Sequence, residues 1–312
     1  MSNAIIEIKN LNIEYKTAKI NGSSIVNAVN GVSLKLYEGE VCAIAGESGC
    51  GKSTLAKAIM RLVQPKSGEI LYMGEDISSY SKKDLKEYRK NVQMVFQNPY
   101  SSLNPKMTIR QILSEPLEIN TNLSKSEIFG KVENIITKVG LDKKHLSLYP
   151  HEFSGGQRQR IAIARALILE PKVIIADEPV SALDASIQAQ ILNMLNDLKA
   201  EFNLTLVFIS HDLSVIKFLS DKVAIMYLGE IMEYGTKEEI FENPSHPYTK
   251  VLLNSVPKYG KQTEELLSGD IPRELPTGCK FSSRCKYSEN TCDMKCPEFA
   301  ELSETHRVRC VL

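Results

Sequence analysis

The run Gly46-Glu47-Ser48-Gly49-Cys50-Gly51-Lys52-Ser53-Thr54 concentrates more chemistry than any other part of the chain. It fits the spacing G-x-x-x-x-G-K-[ST], in which glycines let successive backbone N–H groups converge on phosphate oxygens. A helix opening at its end adds the favourable dipole of a helix N-terminus. Lys52 has the reach to meet β- and γ-phosphates, and the Ser53 hydroxyl suits Mg²⁺. The bland alternative is a glycine turn before an ordinary helix. It is disfavoured because the run follows a buried apolar stretch and opens a helical pattern, the context this spacing demands. Residues 172–178 read KVIIADE, an apolar strand ending in two carboxylates. Asp177 is placed to hold Mg²⁺, usually through water, and Glu178 to orient and deprotonate an attacking water. Paired acids at a strand end can merely cap the next helix, a reading that weakens beside a phosphate loop.

Both groups need rigid supports. In the opening stretch Ile6, Ile8, Leu11 and Ile13, then Val29, Val32, Leu34 and Leu36, alternate with polar residues, the period of half-buried antiparallel strands. VCAIA at 41–45 suits a fully buried strand leading into the loop, and a helical pattern runs from Lys52 to Val63. Three more apolar runs, KVIIA (172–176), LTLVFIS (204–210) and KVAIMYL (222–228), are separated by helical stretches. That alternation predicts an α/β core with a mainly parallel sheet. From Asn98 to about Gly140 the pattern is helical and polar, with breaks expected at Pro99, Pro105 and Pro116. A boundary is expected near Tyr234–Gly235, beyond which Thr236 and Glu239 have the spacing of a helix-capping box. NPSHP (243–247) breaks the chain again. The last 75 or so residues are expected to form an appendage, because the core strand pattern stops there.

The length, 312 residues, suits one large domain with such an appendage, and the 43% hydrophobic fraction supplies a sizeable core. Acids and bases balance at a formal net charge of +0, so no global field favours nucleic acid or acidic lipid. No run of about 18 apolar residues is present, and the N-terminus lacks the flank, apolar segment and cleavage site of a secretory signal. The chain is expected to stay in the cytosol. Of its seven cysteines, Cys42 and Cys50 sit in an apolar strand and the following loop. Cys279, Cys285, Cys292, Cys296 and Cys310 crowd into the end, which in a reducing compartment points to metal more than to disulfides.

FSGGQRQR (153–160) connects these features to a family. Ser154-Gly155-Gly156-Gln157, twenty residues before Asp177, resembles the signature motif of ABC ATPases. The other marks follow in order: Gln97 in VFQNP resembles the Q-loop, Ser181-Ala182-Leu183-Asp184 the D-loop, and His211 in ISHD the switch histidine. Tyr15 resembles the aromatic that stacks on adenine, although a tyrosine ending an amphipathic strand is often only packing. Phe153 stands where leucine is the common residue, an apolar exchange. The resemblance implies a P-loop NTPase of the ABC-cassette type, with a RecA-like parallel core, an antiparallel β subdomain and a helical subdomain over about 98–160. The nucleotide-binding domain would span 1–235 and a C-terminal domain with the cysteine cluster 236–312. ATP would be bound by Tyr15 and residues 46–54, and Mg²⁺ by Ser53, Gln97 and Asp177. Glu178, His211, Gln97 and Lys52 would carry hydrolysis. Ser154, Gly155, Gly156 and Gln157 would close on the ATP of a second chain, with Asp184 in the D-loop.

Finer placement comes from VFQNPYSSLNPKMTIRQILSEP (95–116), YPHEFSGGQRQR (149–160) and NPSHPYTKVLLNSVP (243–257). These resemble the oligopeptide/dipeptide importer ATPases, a group that includes nickel and metal-chelate importers. The wording is closer to the second, F-type, of the two ATPases such permeases usually carry. The resemblance implies a paralogous ATPase partner, two membrane permease subunits, an extracytoplasmic binding protein acting indirectly, and a peripheral position on the cytoplasmic side of the cell membrane. Peptides are the expected cargo, with a metal chelate as the alternative. A soluble ABC ATPase working on nucleic acid or ribosomes is the rival from another class. It usually needs two cassettes or long insertions, and no basic stripe here supports nucleic acid. An iron–sulfur redox sensor with an attached ATPase is a third reading. In some peptide-importer ATPases the cysteines matching Cys279, Cys285, Cys292 and Cys310 hold a [4Fe–4S] cluster, and their all-thiolate set suits one. Zinc, with His306 as a further ligand, and free or disulfide-linked thiols stay open, and Cys296 falls outside the family's four. Pro272, Pro276 and Pro297 leave this tail little apolar material, so a cross-link would help order it.

Overall fold

The alternation of the opening stretch becomes two long strands, β1 (Ala4–Lys19) and β2 (Gly22–Tyr37), in the computed structural model, which describes residues 4–19, 22–254 and 276–311. Pro272 and the end of the 243–257 motif lie outside the described residues. Ile6, Ile8, Leu11, Ile13, Val29, Val32, Leu34 and Leu36 are all buried, as their spacing predicts. With β4 (Ser67–Tyr72) and β5 (Glu75–Asp76) these strands make a sheet in the order β2-β1-β4-β5, and β1 pairs antiparallel with β4. Between them lie the fully buried β3 (Val41–Ala45) and α1 (Lys52–Ile59). The helix stops short of Val63, and Arg61 just beyond it takes a left-handed conformation at φ 49°.

The described residues fall into two compact units. One consists of Asp76–Ile209 with Leu36–Glu40 and the first residues of β1. Its strands β6 (Val92–Val95), β7 (Val173–Asp177) and β8 (Thr205–Ile209) are parallel neighbours in that order. Ahead of β6 runs α2 (Lys82–Asn91); between β6 and β7 come α3 (Pro99–Ser102), α4 (Ile109–Asn120), α5 (Lys125–Lys138) and α6 (Gly155–Leu167), and α7 (Ala185–Phe202) precedes β8. Pro99 opens α3 and Pro105 lies between helices, but Pro116 does not break the chain; it sits inside α4. The Thr108–Gln111 capping box and the buried Ile109, Ile112, Leu113 and Leu117 hold that helix together despite one missing N–H.

The second unit joins Ile6–Lys35 and Val41–Glu75 to the described residues from Ser210 onward. It adds α8 (Leu213–Leu219), β9 (Lys222–Tyr227), β10 (Glu230–Thr236), α9 (Lys237–Glu242), α10 (Pro247–Asn254), α11 (Asn290–Met294), β11 (Ala300–Glu301) and β12 (Arg307–Val308). The expected Thr236–Glu239 capping box opens α9. Here the expected appendage needs correction. β3 pairs parallel with β9, β9 antiparallel with β10, β10 with β12, and β12 with β11. The tail therefore extends the sheet that contains β3. Cys279, Phe281 and Cys292 are buried in one cluster with Ala43, Ala45, Val223, Ile225, Tyr227, Tyr248 and Leu252. A short polar segment with little apolar material of its own gains a core by sharing this one.

Candidate functional site

In the second unit the phosphate-loop residues join β3 to α1 as the spacing predicts. Gly51 is the N-cap of α1 at φ 106°, and a Cβ there would come 2.1 Å from the Ala28 carbonyl oxygen, so only glycine fits. Lys52 is buried, and its Nζ donates to the carbonyl oxygens of Gly46 at 2.7 Å and Glu47 at 2.9 Å. The loop's own carbonyls thus hold the ammonium at the loop. Cys50 is buried too; desolvation pushes its thiol above the ordinary range, and Lys52 pulls the other way. A thiol so protonated is packing rather than a nucleophile. Tyr15 lies half-buried on β1. His211 is exposed between Ser210 and the Asp212 that caps α8.

The loop is also gripped from the far end of the chain. Arg284 donates two hydrogen bonds to the Glu47 carboxylate, at 3.0 and 3.1 Å, and one to Tyr227 Oη at 3.2 Å. Burial opposes the charge of Arg284, but the bonds to Glu47 and Tyr227 outweigh it and raise its pKa. Tyr248 Oη accepts the backbone N–H of Glu47 at 3.1 Å, and burial pushes that hydroxyl's pKa up. Sequence reasoning missed all three residues. Arg284 is 237 positions from Glu47, a separation at which no periodicity carries a signal.

In the first unit β7 delivers Asp177, buried, at its last position and Glu178 just beyond it. Glu178 has φ 46°, and its N–H bonds the Ile209 carbonyl at 2.9 Å. Gln97, exposed after β6, donates through Nε2 to Glu178 Oε2 at 2.8 Å, so two residues singled out separately by sequence meet. Such a carboxylate, oriented and half-exposed at a strand end, can accept a proton from water.

Ser154 caps α6 in a reciprocal capping box with Gln157. Gly155 and Gly156 form the first turn of that helix, whose N–H groups suit an anion. Gly156 also has a packing role: a Cβ there would lie 2.4 Å from Ile187 Cγ2 on α7. Arg158, unremarked in the sequence, is buried and donates to the carbonyl oxygens of Pro150 at 2.7 Å and His151 at 3.3 Å, anchoring the chain before the signature. Phe153 is buried and packs edge-on against His145 at 5.5 Å, so the exchange from leucine is absorbed by the core. Asp184 caps α7, and the Ile187 N–H bonded to it holds its carboxyl below the usual range.

The tail cysteines are neighbours. Burial raises Cys279 to about 11, and Cys292, Cys296 and Cys310 add to the effect; Cys285 is raised by burial, with Cys310 and Cys292 contributing. Yet among the described residues no group of three or more His, Cys, Asp or Glu side chains is arranged to hold a metal ion. The [4Fe–4S] cluster expected from Cys279, Cys285, Cys292 and Cys310 therefore has no formed site here: the donor chemistry fits, the arrangement does not. His306 is engaged elsewhere, 2.7 Å from the buried Glu233.

Comparisons with known proteins identify the family and the fold. The ABC transporter family profile matches residues 29–181, and that of the oligopeptide/dipeptide transporter C-terminal region matches residues 232–292. The oligopeptide transport ATP-binding protein AppF of Bacillus subtilis is 51% identical over 92% of this chain and 90% of its own length. OppF of Haemophilus influenzae, also an oligopeptide transport ATP-binding protein, is 47% identical over 98% of this chain and 96% of its own. Among solved structures, cbiO1 of Clostridium perfringens, part of an ABC transporter complex, superposes with a TM-score of 0.68 at 31% identity, covering 77% of this chain and 92% of that one. An ATP-binding cassette solved as a dimer bound to ADP and Pi gives 0.67 at 30% identity, covering 74% and 98%.

Proposed function

The chain belongs to the ATP-binding subunits of ABC transporters, in the oligopeptide/dipeptide branch, and from that premise we propose how its residues turn ATP hydrolysis into peptide uptake. It is an ATP hydrolase coupled to peptide import. The observation that carries the hydrolytic reading is the Glu178 carboxylate, oriented by Gln97 at 2.8 Å beside the buried Asp177.

Residues 46–54 take the ATP phosphates through backbone N–H groups, Lys52 neutralises their charge and Tyr15 stacks on the adenine. Glu178 takes a proton from the attacking water, and His211 acts as the switch. Ser53, Gln97 and Asp177 offer hydroxyl, amide and carboxylate oxygens, the hard donors that Mg²⁺ prefers, and would hold it. Mg²⁺ held by these residues would supply positive charge to the phosphates. Ser154, Gly155, Gly156 and Gln157 serve the ATP of a second cassette, with Asp184 beside it. ATP then joins two cassettes, and hydrolysis releases them because the γ-phosphate contacts exist in one state only.

The second cassette is a paralogous subunit. Two permease subunits receive the work at the cytoplasmic face of the membrane, where this chain binds peripherally, and an extracytoplasmic binding protein selects the cargo. None of the described helices is long and apolar enough to cross a membrane. Residues 1–235 act as the nucleotide-binding domain, with a helical subdomain over about 98–160 facing the permease, and 236–312 as the family's C-terminal domain. Uptake assays in a deletion strain test this reading. Peptide uptake should return with the wild-type chain and not with Lys52→Ala, which removes charge neutralisation in the transition state. Unchanged peptide uptake in the deletion strain, with nickel uptake lost, moves the cargo to a metal chelate.

The finer reading of the tail, a [4Fe–4S] cluster on Cys279, Cys285, Cys292 and Cys310, rests on the family resemblance and the proximity of the thiols. It requires them to draw together around iron. Anaerobic purification should then give a brown protein with about four irons per chain; a colourless protein without iron removes the cluster and leaves the ATPase reading intact.

A further inference from the structure

Glu47, second residue of the phosphate loop, is an awkward choice for its place. A carboxylate within a loop that binds a triphosphate repels the ligand unless something neutralises it and turns it aside. Three groups from the last third of the chain act on it. Arg284 meets the carboxylate with both terminal nitrogens, at 3.0 and 3.1 Å, the forked geometry that a guanidinium makes and an ammonium does not. Its side chain is only 6% exposed and that of Glu47 19%, so the pair is shielded from the water that would screen it. Tyr227 adds a third bond, its Oη accepting at 3.2 Å from the same Nη1 of Arg284 that meets Glu47. Tyr248, fully buried, takes the Glu47 backbone N–H at 3.1 Å and so sets the orientation of the loop's second peptide.

Phe281 holds this group together. Its ring lies edge-on to Tyr227 at 5.5 Å and 5.3 Å from Tyr248, while the Arg284 N–H bonds its carbonyl at 3.0 Å. The segment that carries Arg284 is thus locked onto the two tyrosines that complete the grip.

We propose that Arg284, with Tyr248, is a positioning residue for ATP: it neutralises and orients Glu47, so that the C-terminal region sets the nucleotide affinity of the phosphate loop. The proposal rests on the reading that residues 46–54 bind the phosphates of ATP. Neither residue touches nucleotide; both act through Glu47. A segment whose role was confined to the permease or the cargo would have no reason to hold a loop carboxylate by both oxygens.

Equilibrium titration of the purified full chain with Mg²⁺-ATP tests it, with thermal unfolding run on every variant. Arg284→Gln should weaken ATP binding about tenfold, and Arg284→Lys, which restores the charge without the fork, should recover only part of that loss. The double variant Glu47→Gln/Arg284→Gln should bind more tightly than Arg284→Gln alone, because the repelling carboxylate is gone; mere loss of packing would make the double variant no better. Tyr248→Phe deletes one oxygen, keeps the ring and should weaken binding about threefold. Wild-type affinity in whichever of Arg284→Gln and Tyr248→Phe folds, or no relief in the double variant, overturns the proposal. Lys52→Ala separates the two levels. If it weakens binding while Arg284→Gln does not, only this inference fails; if the wild-type chain binds no ATP, the reading beneath it fails as well.

Discussion

Glu178 holds a conformation that a side-chain-bearing residue avoids. At φ 46° its Cβ crowds the backbone, at a cost on the order of 1–2 kcal/mol. The bond from its N–H to Ile209 and the bond from Gln97 to its carboxylate keep it there. Such strain is tolerated where it aims a group at its task. Glu178→Gln keeps the shape and removes the proton acceptor, so turnover should fall at least about a hundredfold while ATP binding persists. With ATP and Mg²⁺ this variant should accumulate as a dimer with its partner, read by size-exclusion chromatography. A monomer profile unchanged by ATP would count against the ATP-joined cassette pair. Residues whose placement depends on near neighbours in sequence, such as Lys52 at the start of α1 or Asp177 and Glu178 at the end of β7, have positions legible in the amino-acid order alone. Gln97 and Glu178 are each legible in the same way, but their contact spans 81 positions and only folding reveals it.

At the scale of elements, α6 and α7 approach closely because of one glycine. A methyl at Gly156 would meet Ile187 Cγ2 at 2.4 Å, whereas one at Gly155 would find Leu183 Cδ2 at an ordinary 3.4 Å. Gly156→Ala should therefore destabilise the chain by roughly 1–3 kcal/mol, as overpacking does. Gly155→Ala should cost less, since alanine also favours the helix. Urea unfolding distinguishes them, and adding Ile187→Ala should relieve the Gly156→Ala defect. Equal stability of the two single variants would show that α7 yields freely. The capping box at Thr236 and the apolar run of β3 can be read directly, because a few adjacent residues specify them. β11 and β12 cannot: strands of two residues carry no period, and their place is set by the edge of β10.

For the molecule as a whole, the lesson of the tail is that shortage of apolar residues within a segment does not make it an attachment. Residues 276–311 give Phe281, Cys279, Cys292 and Val308 to the buried interior, the first three of them to a core shared with β3 and β9. A chain ending at residue 254 would leave Tyr227 and Tyr248 without their covering aromatic ring and β10 paired on the β9 side alone. It should aggregate or unfold at a lower temperature, losing ATPase activity with stability. Wild-type melting and activity in that shortened chain would restore the expected appendage.

The interleaving of the second unit also has a consequence in time. Residues 76–209 can fold as a nearly continuous stretch once made, but the unit holding the phosphate loop draws on both ends of the chain. Glu47 leaves the ribosome 237 residues before Arg284. At roughly 5–20 residues per second the loop waits about 10–50 seconds for its cation. Throughout that interval Glu47 lacks the guanidinium that holds its carboxylate in the finished fold, and the sheet edge at β10 stays open until the final residues arrive. A late segment of the chain thereby completes the surroundings of an early loop, and a message cut short before Arg284 yields a loop without its ion pair.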